Sequence, residues 1–385
     1  MDQVRVLQVI GAMNRAGAET IVMNLMRSID RDRVHFDFLV HEQKRCDYDD
    51  EIEALGGTIY RIPRYNVANG PAYRRICKRF FAEHPEIDVV HGHIGSSSAI
   101  YLDEAKKAGC ATVVHSHRDS PKAKTIKSRV RRNFYGALIR KVPGIADEFL
   151  ACGYQAGVDR FGVGVAAGPH FHVMNNGIDL SKYTCDERDH EEAKARLGYA
   201  GVPLVGNVAR LVPEKNQAFL LEVFAKALEA NPRARLVLAG RGPTEEALRA
   251  QAASLGIADS VEFLGVRDDI PEVLKALDAF VFTSTLEGLG MAVVEAQAAG
   301  APCITSDAVP QTAIVSGIAQ RISLDEGVDE WARRLNDVLA AAEPHRSQVD
   351  EVRAHGYDIA EVASWMADFY CDLAARAPRN REGAR

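Results

Sequence analysis

The sequence of 385 residues lacks the features typical of membrane-spanning, secreted and disulfide-stabilised proteins. It has no run of about 18 apolar residues, which is the length that a transmembrane helix needs. The N-terminal segment MDQVRVLQVIGAMN has no cationic stretch before a long apolar run, so we interpret it as a first strand, not a signal peptide. The seven cysteines are an odd number without a C-x-x-C pair, which argues against a disulfide framework and a cysteine zinc site. We expect a cytoplasmic protein.

The charge is distributed unevenly along the chain. The net charge is −6, but residues 1–180 carry +4 and the remainder carries −10. This change of sign suggests two domains with different electrostatic tasks. The overall acidity argues against nucleic acid as a partner, because duplex binding needs a basic face. With 47% apolar residues, the chain can bury a large core.

Short apolar runs alternate with helical stretches through both halves of the chain. Runs such as RLVLAG and DAFVFTS are typical of parallel strands that are buried on both faces. The alternation predicts an α/β fold with two sets of βαβ units, which change over near His172–Cys185. A last helix is expected at Ile359–Ala375. The strands expected in the first half are Val4–Ile10, His35–His41, Thr58–Ile62, Asp88–Gly92 and Ala111–His115.

Two loops after predicted strands have residues suited to binding phosphate. Gly11–Glu19 (GAMNRAGAE) follows the first strand, and its small residues would allow a ligand to approach the backbone. Its spacing is not the G-x-G-x-x-G of dinucleotide sites, and a tight strand–helix turn is the alternative. In NVARLVPEKN, Arg210 and Lys215 could bind a diphosphate, or they could simply be solvated cations.

The segment STLEGLGMAVVEAQAAG has two glutamates separated by seven residues. The Gly-Leu-Gly between them should keep Glu287 on a loop, while a helix starting near Met291 would include Glu295. Glu287, free backbone amides and the helix N-terminus could then surround a small polar ligand. An acidic helix start that stabilises its own dipole is the alternative.

Two histidine pairs end neighbouring predicted strands, His91 with His93 and His115 with His117. Alternate residues of a strand face the same side, so each pair could present two imidazoles together. No H-E-x-x-H motif accompanies them, and we favour contact with a substrate over binding of a metal ion.

Taken in order, these segments resemble glycosyltransferase family 4 over essentially the whole chain. The blocks that carry the resemblance are GAMNRAGAE, VVHGH, VVHSH, NNGID, NVARLVPEKN, LAGRGP, VEFLGVRDD and EGLGMAVVEAQAAGAPC. Within the family, FDFLVH, YDDEIEALGGTIYRIPR and FFAEHPEIDVVHGH look most like bacterial exopolysaccharide or capsule enzymes. The resemblance implies the GT-B fold, in which two Rossmann-like domains face each other across a cleft and the C-terminal helix returns to the N-terminal domain. It implies an acceptor-binding domain at 1–178 with the helix 358–375, a nucleotide-sugar domain at 179–357, and a frayed basic tail at 376–385.

The resemblance also implies a role for each matching residue on the donor side. Arg210 and Lys215 would bind the donor diphosphate, and Glu295 would accept hydrogen bonds from the ribose. Glu287 and four backbone amides would hold the donor sugar. These amides belong to Gly288, Leu289, Gly290 and Met291.

Further contacts are implied around the nucleotide and the sugar. Val266 and Arg267 would border the base, and His117 would contact the donor sugar. Gly17 would let the first loop approach the phosphates, although Ala18 stands where relatives have a second glycine, which narrows the space. Enzymes of this fold generally need no metal ion, so no metal and no cofactor is expected beyond the co-substrate.

On the acceptor side, the resemblance implies roles for His93 and Asn14. The segment 121–141 has eight cations and no acid, with apolar residues at four-residue spacing. Such a segment suits anionic lipid headgroups or a lipid-linked diphosphate, and a core-facing helix with a basic solvated side is the alternative. It suggests peripheral attachment to the inner face of the plasma membrane.

The expected function is retaining transfer of a hexose-type sugar from a nucleotide-diphosphate sugar, UDP-sugar favoured, to a saccharide or lipid-linked acceptor in exopolysaccharide or capsule synthesis. A sugar-nucleotide 2-epimerase of the same architecture is one alternative, and a non-catalytic nucleotide-sugar-binding partner is another. The segment AVPQTAIVSG departs from relatives that often carry an acidic residue there, which leaves the donor and acceptor preference open.

Overall fold

The computed structural model describes residues 3–15, 17–66, 68–117, 136, 138–341 and 344–377. They form two compact units. The first unit contains the described residues up to Gly177 and those from Ile359 onward, and the second is Ile178–Asp358. These boundaries lie within one residue of the expected ones. The expected basic tail lies outside the described residues from position 378 onward, as does most of the basic segment 121–141.

The first unit is built on a sheet of seven parallel strands. The strands are β1 (Val4–Ile10), β2 (Val34–Val40), β3 (Ile59–Arg61), β4 (Val89–Gly92), β5 (Ala111–Ser116), β6 (Glu148–Ala151) and β7 (Phe171–Val173). Their order across the sheet is β3-β2-β1-β4-β5-β6-β7, and every neighbouring pair is parallel. The helices that precede the second unit are α1 (Gly17–Ser28), α2 (Asp49–Ala54), α3 (Gly70–Glu83), α4 (Ser98–Lys107), α5 (Tyr154–Phe161) and α6 (Val163–Ala166).

The second unit repeats this plan with six parallel strands in the order β10-β9-β8-β11-β12-β13. The strands are β8 (Leu204–Val208), β9 (Arg235–Ala239), β10 (Val261–Gly265), β11 (Ala279–Phe282), β12 (Cys303–Ser306) and β13 (Ala319–Ile322). The helices are α7 (Glu187–Leu197), α8 (Gln217–Leu228), α9 (Glu245–Ser254), α10 (Ile270–Lys275), α11 (Met291–Ala299), α12 (Gly327–Ala340) and α13 (Val349–Ala354).

Both faces of the first sheet are covered, as the apolar runs predict. Along β1, Val6 packs in the cluster that contains residues of α1, whereas Leu7 and Val9 pack in the cluster that contains residues of α3 and α4. The last helix, α14 (Ile359–Arg376), packs on the α1 side and buries Met366 and Tyr370 there. The expected α/β class and the return of the C-terminal helix are therefore confirmed.

Strands β6 and β7 are not among the strands that the sequence predicts. β7 is only three residues long and half-exposed at the edge of the sheet, so its sequence FHV has no apolar run. β6 is buried, but it is also short, with four residues, and it contains the buried carboxylate of Glu148. No helix in the described parts of the chain is long and apolar enough to cross a lipid bilayer.

Candidate active site

Each sheet reverses its strand order between two neighbours, β1 and β4 in the first unit and β8 and β11 in the second. In open parallel sheets, ligands bind beyond the carboxyl ends of the strands at such a switch point. Most of the predicted site residues lie on loops or helix starts that follow these four strands.

The loops after β8 and β11 are fastened to each other by hydrogen bonds. The Thr283 hydroxyl donates to the Asn216 carbonyl at 2.9 Å, and the Ser284 hydroxyl donates to the Glu214 carbonyl at 2.9 Å. The same Glu214 carbonyl accepts from the backbone N–H of Thr285 at 2.8 Å. These bonds hold the turn that contains Lys215 against the segment that leads to Glu287.

Lys215 and Glu287 form an ion pair across these loops. The exposed fraction is only 19% for the Lys215 side chain and 7% for that of Glu287, so the pair is largely shielded from water. The Lys215 ammonium also lies 5.2 Å from the centre of the Phe282 ring. Arg210 is exposed on the loop after β8, and its guanidinium has no ion-pair partner among the described residues. The structure thus holds one predicted cation rigidly and leaves the other open to solvent.

Helix α11 begins directly after the Gly-Leu-Gly segment, so Glu287 lies on the preceding loop and Glu295 lies inside the helix. Gly290 precedes the helix with φ +79°, a conformation that favours glycine. A β-carbon there would lie 3.3 Å from Val309 Cγ1. Leu289 is buried, while Gly288 is exposed. The Val293 N–H donates to the Gly290 carbonyl at 2.8 Å, so the N–H groups that precede it at the start of α11 are the ones available to an anionic or polar ligand.

Glu295 is half-buried, and burial raises its pKa to about 7. The buried Tyr183 hydroxyl forms a hydrogen bond with the Glu295 carboxylate, which opposes this rise. Tyr183 follows a single 3-10 turn, Leu180–Lys182, so this contact joins two distant parts of the second unit. Near neutral pH, Glu295 therefore changes between an acceptor-only carboxylate and a protonated form.

Val266 and Arg267 follow β10 at the edge of the second sheet. The exposed fraction of Val266 is 52%, an uncovered apolar surface suited to a flat ring. The Arg267 guanidinium donates to the Asp269 carboxylate, with Nε to Oδ1 at 2.7 Å and Nη2 to Oδ2 at 2.5 Å. This bidentate pair fixes the direction of the Arg267 side chain.

In the first unit, helix α1 starts at Gly17, and a β-carbon there would meet nothing within 4 Å. Ala18 is half-buried in the first turn of this helix. Asn14 is exposed, and its Oδ1 accepts a hydrogen bond of 3.3 Å from the backbone N–H of Asp47. The loop after β1 is thus open around Gly17 but is tied to a neighbouring loop at Asn14.

The two histidine pairs meet in one buried cluster with side chains from β1 and α14. His93 Nε2 lies 2.8 Å from Gln8 Oε1, and His93 Nδ1 lies 2.7 Å from His117 Nε2. The Tyr370 hydroxyl lies 3.3 Å from Gln8 Nε2 and 2.6 Å from His91 Nδ1. The imidazoles of His91, His93 and His117 therefore belong to a hydrogen-bonded network, whereas both ring nitrogens of His115 are buried without a hydrogen-bond partner among the described residues.

Burial keeps these imidazoles neutral. It lowers the pKa of His91 to about 3 and that of His117 to about 4. Burial, with the neighbouring imidazoles as a second cause, also lowers the pKa of His93 and His115. At pH 7, each ring consequently has one N–H donor and one lone-pair acceptor.

Ring nitrogens of His91, His93 and His115 lie within 4.8 Å of one another, which is close enough for all three to bind one metal ion. Both nitrogens of His93, however, already have hydrogen-bond partners. A metal ion bound by His93 would have to displace Gln8 or His117 from it. The expectation that no metal takes part stays a prediction.

Three side chains in these networks are absent from the sequence-based predictions. Gln8 interrupts the apolar strand VRVLQVI near its carboxyl end, and this polar residue in a buried parallel strand was an available signal. Tyr183 and Tyr370 had no such signal, because each contacts the site through packing between segments that are far apart in the sequence.

Two family models match this chain. The model for glycosyl transferases group 1 matches residues 189–354, and the model for Glycosyltransferase Family 4 matches residues 15–182. A relative named "Putative glycosyltransferase EpsF" from Bacillus subtilis (strain 168) is 35% identical over 99% of this chain and 99% of its own. The chain belongs to glycosyltransferase family 4.

A more distant relative and a solved structure are also similar to this glycosyltransferase. A GDP-mannose-dependent monoacylated alpha-(1-6)-phosphatidylinositol monomannoside mannosyltransferase of Corynebacterium glutamicum is 29% identical over 68% of this chain and 69% of its own. The Anabaena protein Alr3699/HepE, solved in complex with UDP, has a TM-score of 0.76 and 19% identity, covering 96% of this chain and 100% of its own. That likeness supports the GT-B fold.

Proposed function

We propose that this glycosyltransferase moves a hexose-type sugar from a UDP-sugar to a saccharide or lipid-linked acceptor in exopolysaccharide or capsule synthesis, with retention of configuration. The main observation in support of this proposal is that the loops after β8 and β11 of the second unit are hydrogen-bonded to each other. These loops bring Lys215, Glu287 and the start of α11 to the switch point of the sheet. The full-length similarity to a relative that is named as a putative glycosyltransferase supports sugar transfer.

The donor diphosphate would be bound by Arg210 and Lys215. Arg210 is exposed and can turn toward an arriving ligand, whereas Lys215 is held by Glu287 and Phe282. One held and one movable positive charge would supply the stabilisation that a divalent cation gives in other phosphate sites. We therefore propose that transfer needs neither a metal ion nor a cofactor.

The rest of the donor would lie along α11 and β10. Glu295 in its carboxylate form would accept hydrogen bonds from the ribose hydroxyls, and Tyr183 would keep that carboxylate in place. Glu287 and the amides from Gly288 to Met291 would hold the sugar. The exposed side chain of Val266 and the fixed Arg267 would border the base.

In the first unit, the loop at Gly17 and Ala18 would approach the phosphates, His117 would contact the donor sugar, and Asn14 and His93 would serve the acceptor. Because both nitrogens of His93 are hydrogen-bonded, its direct contact with the acceptor would require one of these bonds to open. We propose that His93 acts mainly by holding His117.

The transfer step would follow front-face attack. The acceptor oxygen forms a bond to the anomeric carbon on the face from which the diphosphate leaves, while the bond from that carbon to the phosphate oxygen breaks. The leaving phosphate oxygen takes the acceptor proton, and the charge that remains on the diphosphate is stabilised by Arg210 and Lys215. Positioning and electrostatic stabilisation thus supply the catalysis.

We also propose that this protein is cytoplasmic and that residues 121–141 attach it peripherally to the inner face of the membrane. The exposed cations Arg140 and Lys141 end this segment, whose other cations lie outside the described residues. The enzyme should sediment with vesicles that contain anionic lipid and stay in the supernatant with neutral vesicles. Equal sedimentation in both would contradict the attachment.

The donor site is tested by thermal shift with UDP and GDP in the absence of metal. A ligand bound only by the native state raises the melting temperature by mass action, so UDP should raise it more than GDP does. The shift should disappear in Glu295→Gln and persist in Glu246→Gln, an exposed glutamate on α9 that serves as the matched control. No shift with either nucleotide, or an unchanged shift in Glu295→Gln, would contradict the proposed site.

A further inference from the structure

The segment 307–316 follows β12 and packs against the start of α11. Val309 in this segment is fully buried, and its Cγ1 lies 3.3 Å from the position that a β-carbon on Gly290 would take. Leu289 and Val293, on either side of Gly290, belong to the same apolar cluster as Val309. The segment therefore supports the Gly-Leu-Gly turn from beneath.

Gln297 of α11 fastens this segment to the helix, and its side chain is fully buried. Its Nε2 donates to the Ala313 carbonyl at 2.7 Å and to the Val293 carbonyl of its own helix at 2.9 Å. Its Oε1 accepts from the backbone N–H groups of Val315 at 2.9 Å and Ser316 at 3.0 Å. The Ser316 hydroxyl donates to the same oxygen at 3.1 Å. One side chain thus satisfies three buried or half-buried backbone groups of the segment.

An uncharged amide suits this position because it faces both donors and acceptors. The Oε1 of Gln297 meets three donors and the Nε2 meets two carbonyls, so the amide has a single orientation. A glutamate would turn an oxygen toward both carbonyls and bury a charge. A methionine has a similar volume but would leave the backbone N–H groups of Val315 and Ser316 without their acceptor. Hydrogen bonding, more than volume, therefore explains the residue at this position.

A second anchor of the segment comes from a different element. The Tyr357 hydroxyl, which follows α13, donates to the Thr312 carbonyl at 3.0 Å. Tyr357 is buried and belongs to the same apolar cluster as Val309. The position of the segment beneath the turn is therefore fixed from two sides.

We propose that Gln297 is a positioning residue for the donor sugar. It holds the segment 307–316 beneath the Gly-Leu-Gly turn, and the segment in turn keeps the backbone amides of Gly288–Met291 directed at the sugar. The inference rests on the proposed function, in which these amides bind the sugar.

The groups proposed to bind the rest of the donor have anchors of their own. Lys215, at the diphosphate, is held by Glu287. Glu295, at the ribose, is held by Tyr183. Loss of the Gln297 hydrogen bonds should therefore weaken recognition of the sugar and leave recognition of the nucleotide in place.

The first measurement is amide hydrogen exchange of the full-length, ligand-free protein and its Gln297→Met variant. Peptides that cover 309–316 should exchange about tenfold faster or more in the variant, because backbone groups lose their partner. Peptides that cover 286–293 should also exchange faster, since the support beneath the turn is loosened. Unchanged exchange of 286–293 would overturn the proposal.

Gln251→Met is the matched control for this substitution. It makes the same chemical change on α9, where the Gln251 amide donates to the Ala218 carbonyl of α8 at 3.0 Å. A general loss of stability in the second unit would affect both variants alike. Only Gln297→Met should change the exchange of 286–293 and 309–316.

The second measurement is the ratio of the Kd of UDP-glucose, or of UDP-galactose, to the Kd of UDP. The ratio should rise about tenfold in Gln297→Met, rise less in Tyr357→Phe, and stay unchanged in Gln251→Met. An unchanged ratio in Gln297→Met would overturn the proposal. If that variant does not fold, Tyr357→Phe decides, and an unchanged ratio there would overturn it.

Failure of the proposed function has a different signature. If neither UDP nor the two UDP-sugars bind to the wild type, the proposed donor is refuted. Hydrogen exchange needs no ligand, so it would still decide whether Gln297 orders the turn.

Discussion

Replacing Glu295 by glutamine should stabilise the ligand-free protein while it removes nucleotide binding. Burial raises the pKa of this carboxyl from 4.5 to about 7. Above pH 7 the folded state therefore contains an ionised carboxylate whose burial costs free energy. One pKa unit corresponds to about 1.4 kcal/mol, and the shift therefore amounts to about 3 kcal/mol. Because Glu295 is only half-buried, this figure is an upper bound for the effect.

The sign of the pH dependence follows from the two pKa values. Below pH 4.5 the carboxyl is protonated in both states and contributes nothing. Between pH 4.5 and about 7 the unfolded state loses its proton first, so stability falls as the pH rises. Above pH 7 the full cost remains. Glutamine is neutral throughout, so the variant should avoid this cost.

The assay compares the melting temperatures of the wild type and Glu295→Gln from pH 4 to pH 9. For a unit of the size of Ile178–Asp358, about 3 kcal/mol corresponds to about 6 °C or more. The difference should be near zero at pH 4 and should reach its maximum above pH 7. Glu246→Gln on the exposed face of α9 should show no such trend. A difference that does not depend on pH would refute the assignment of the raised pKa to Glu295.

Three further changes test other parts of the donor site. Replacing Lys215 with methionine should lower kcat by about a hundredfold or more, by analogy with lost oxyanion donors, and unchanged turnover would contradict its role at the diphosphate. Tyr183→Phe should raise the donor KM and shift its pH dependence upward, because the hydrogen bond that lowers the Glu295 pKa is lost; an unchanged pH profile would refute this. Gly290→Ala should lower stability by about 1 kcal/mol in thermal melts, since its φ of +79° and the 3.3 Å approach to Val309 both disfavour a side chain; an unchanged melting temperature would contradict this.

The sequence predicts well the long strands of which both faces are covered. β1 is bounded by Val4 and Ile10 as predicted, because both of its faces are covered and its apolar run is unbroken apart from Arg5 and Gln8. β7 is not predicted, because its side chains are half-buried or exposed. It is a short edge strand, and pairing with β6 specifies its conformation while side-chain burial does not.

The placement of Glu287 and Glu295 is predictable because local rules determine it. The two glycines before Met291 end the loop, so Glu287 and Glu295 separate into loop and helix without help from distant residues. What the sequence could not predict is what holds Glu295, because Tyr183 reaches it only through the packing of the second unit.

The histidine pairs show how tertiary packing changes the meaning of a motif. Strand spacing places His91 and His93 together, and it does the same for His115 and His117, but spacing alone leaves four equivalent imidazoles. Gln8 and Tyr370 remove that equivalence, since each occupies particular ring nitrogens of its neighbours. The result is an ordered chain from Tyr370 to His117, while the other ring nitrogens have no hydrogen-bond partner among the described residues: His91 Nε2, His117 Nδ1 and both nitrogens of His115. The hydrogen bonding of the histidine pairs therefore depends on Gln8 of β1 and Tyr370 of α14, two residues outside the histidine motifs.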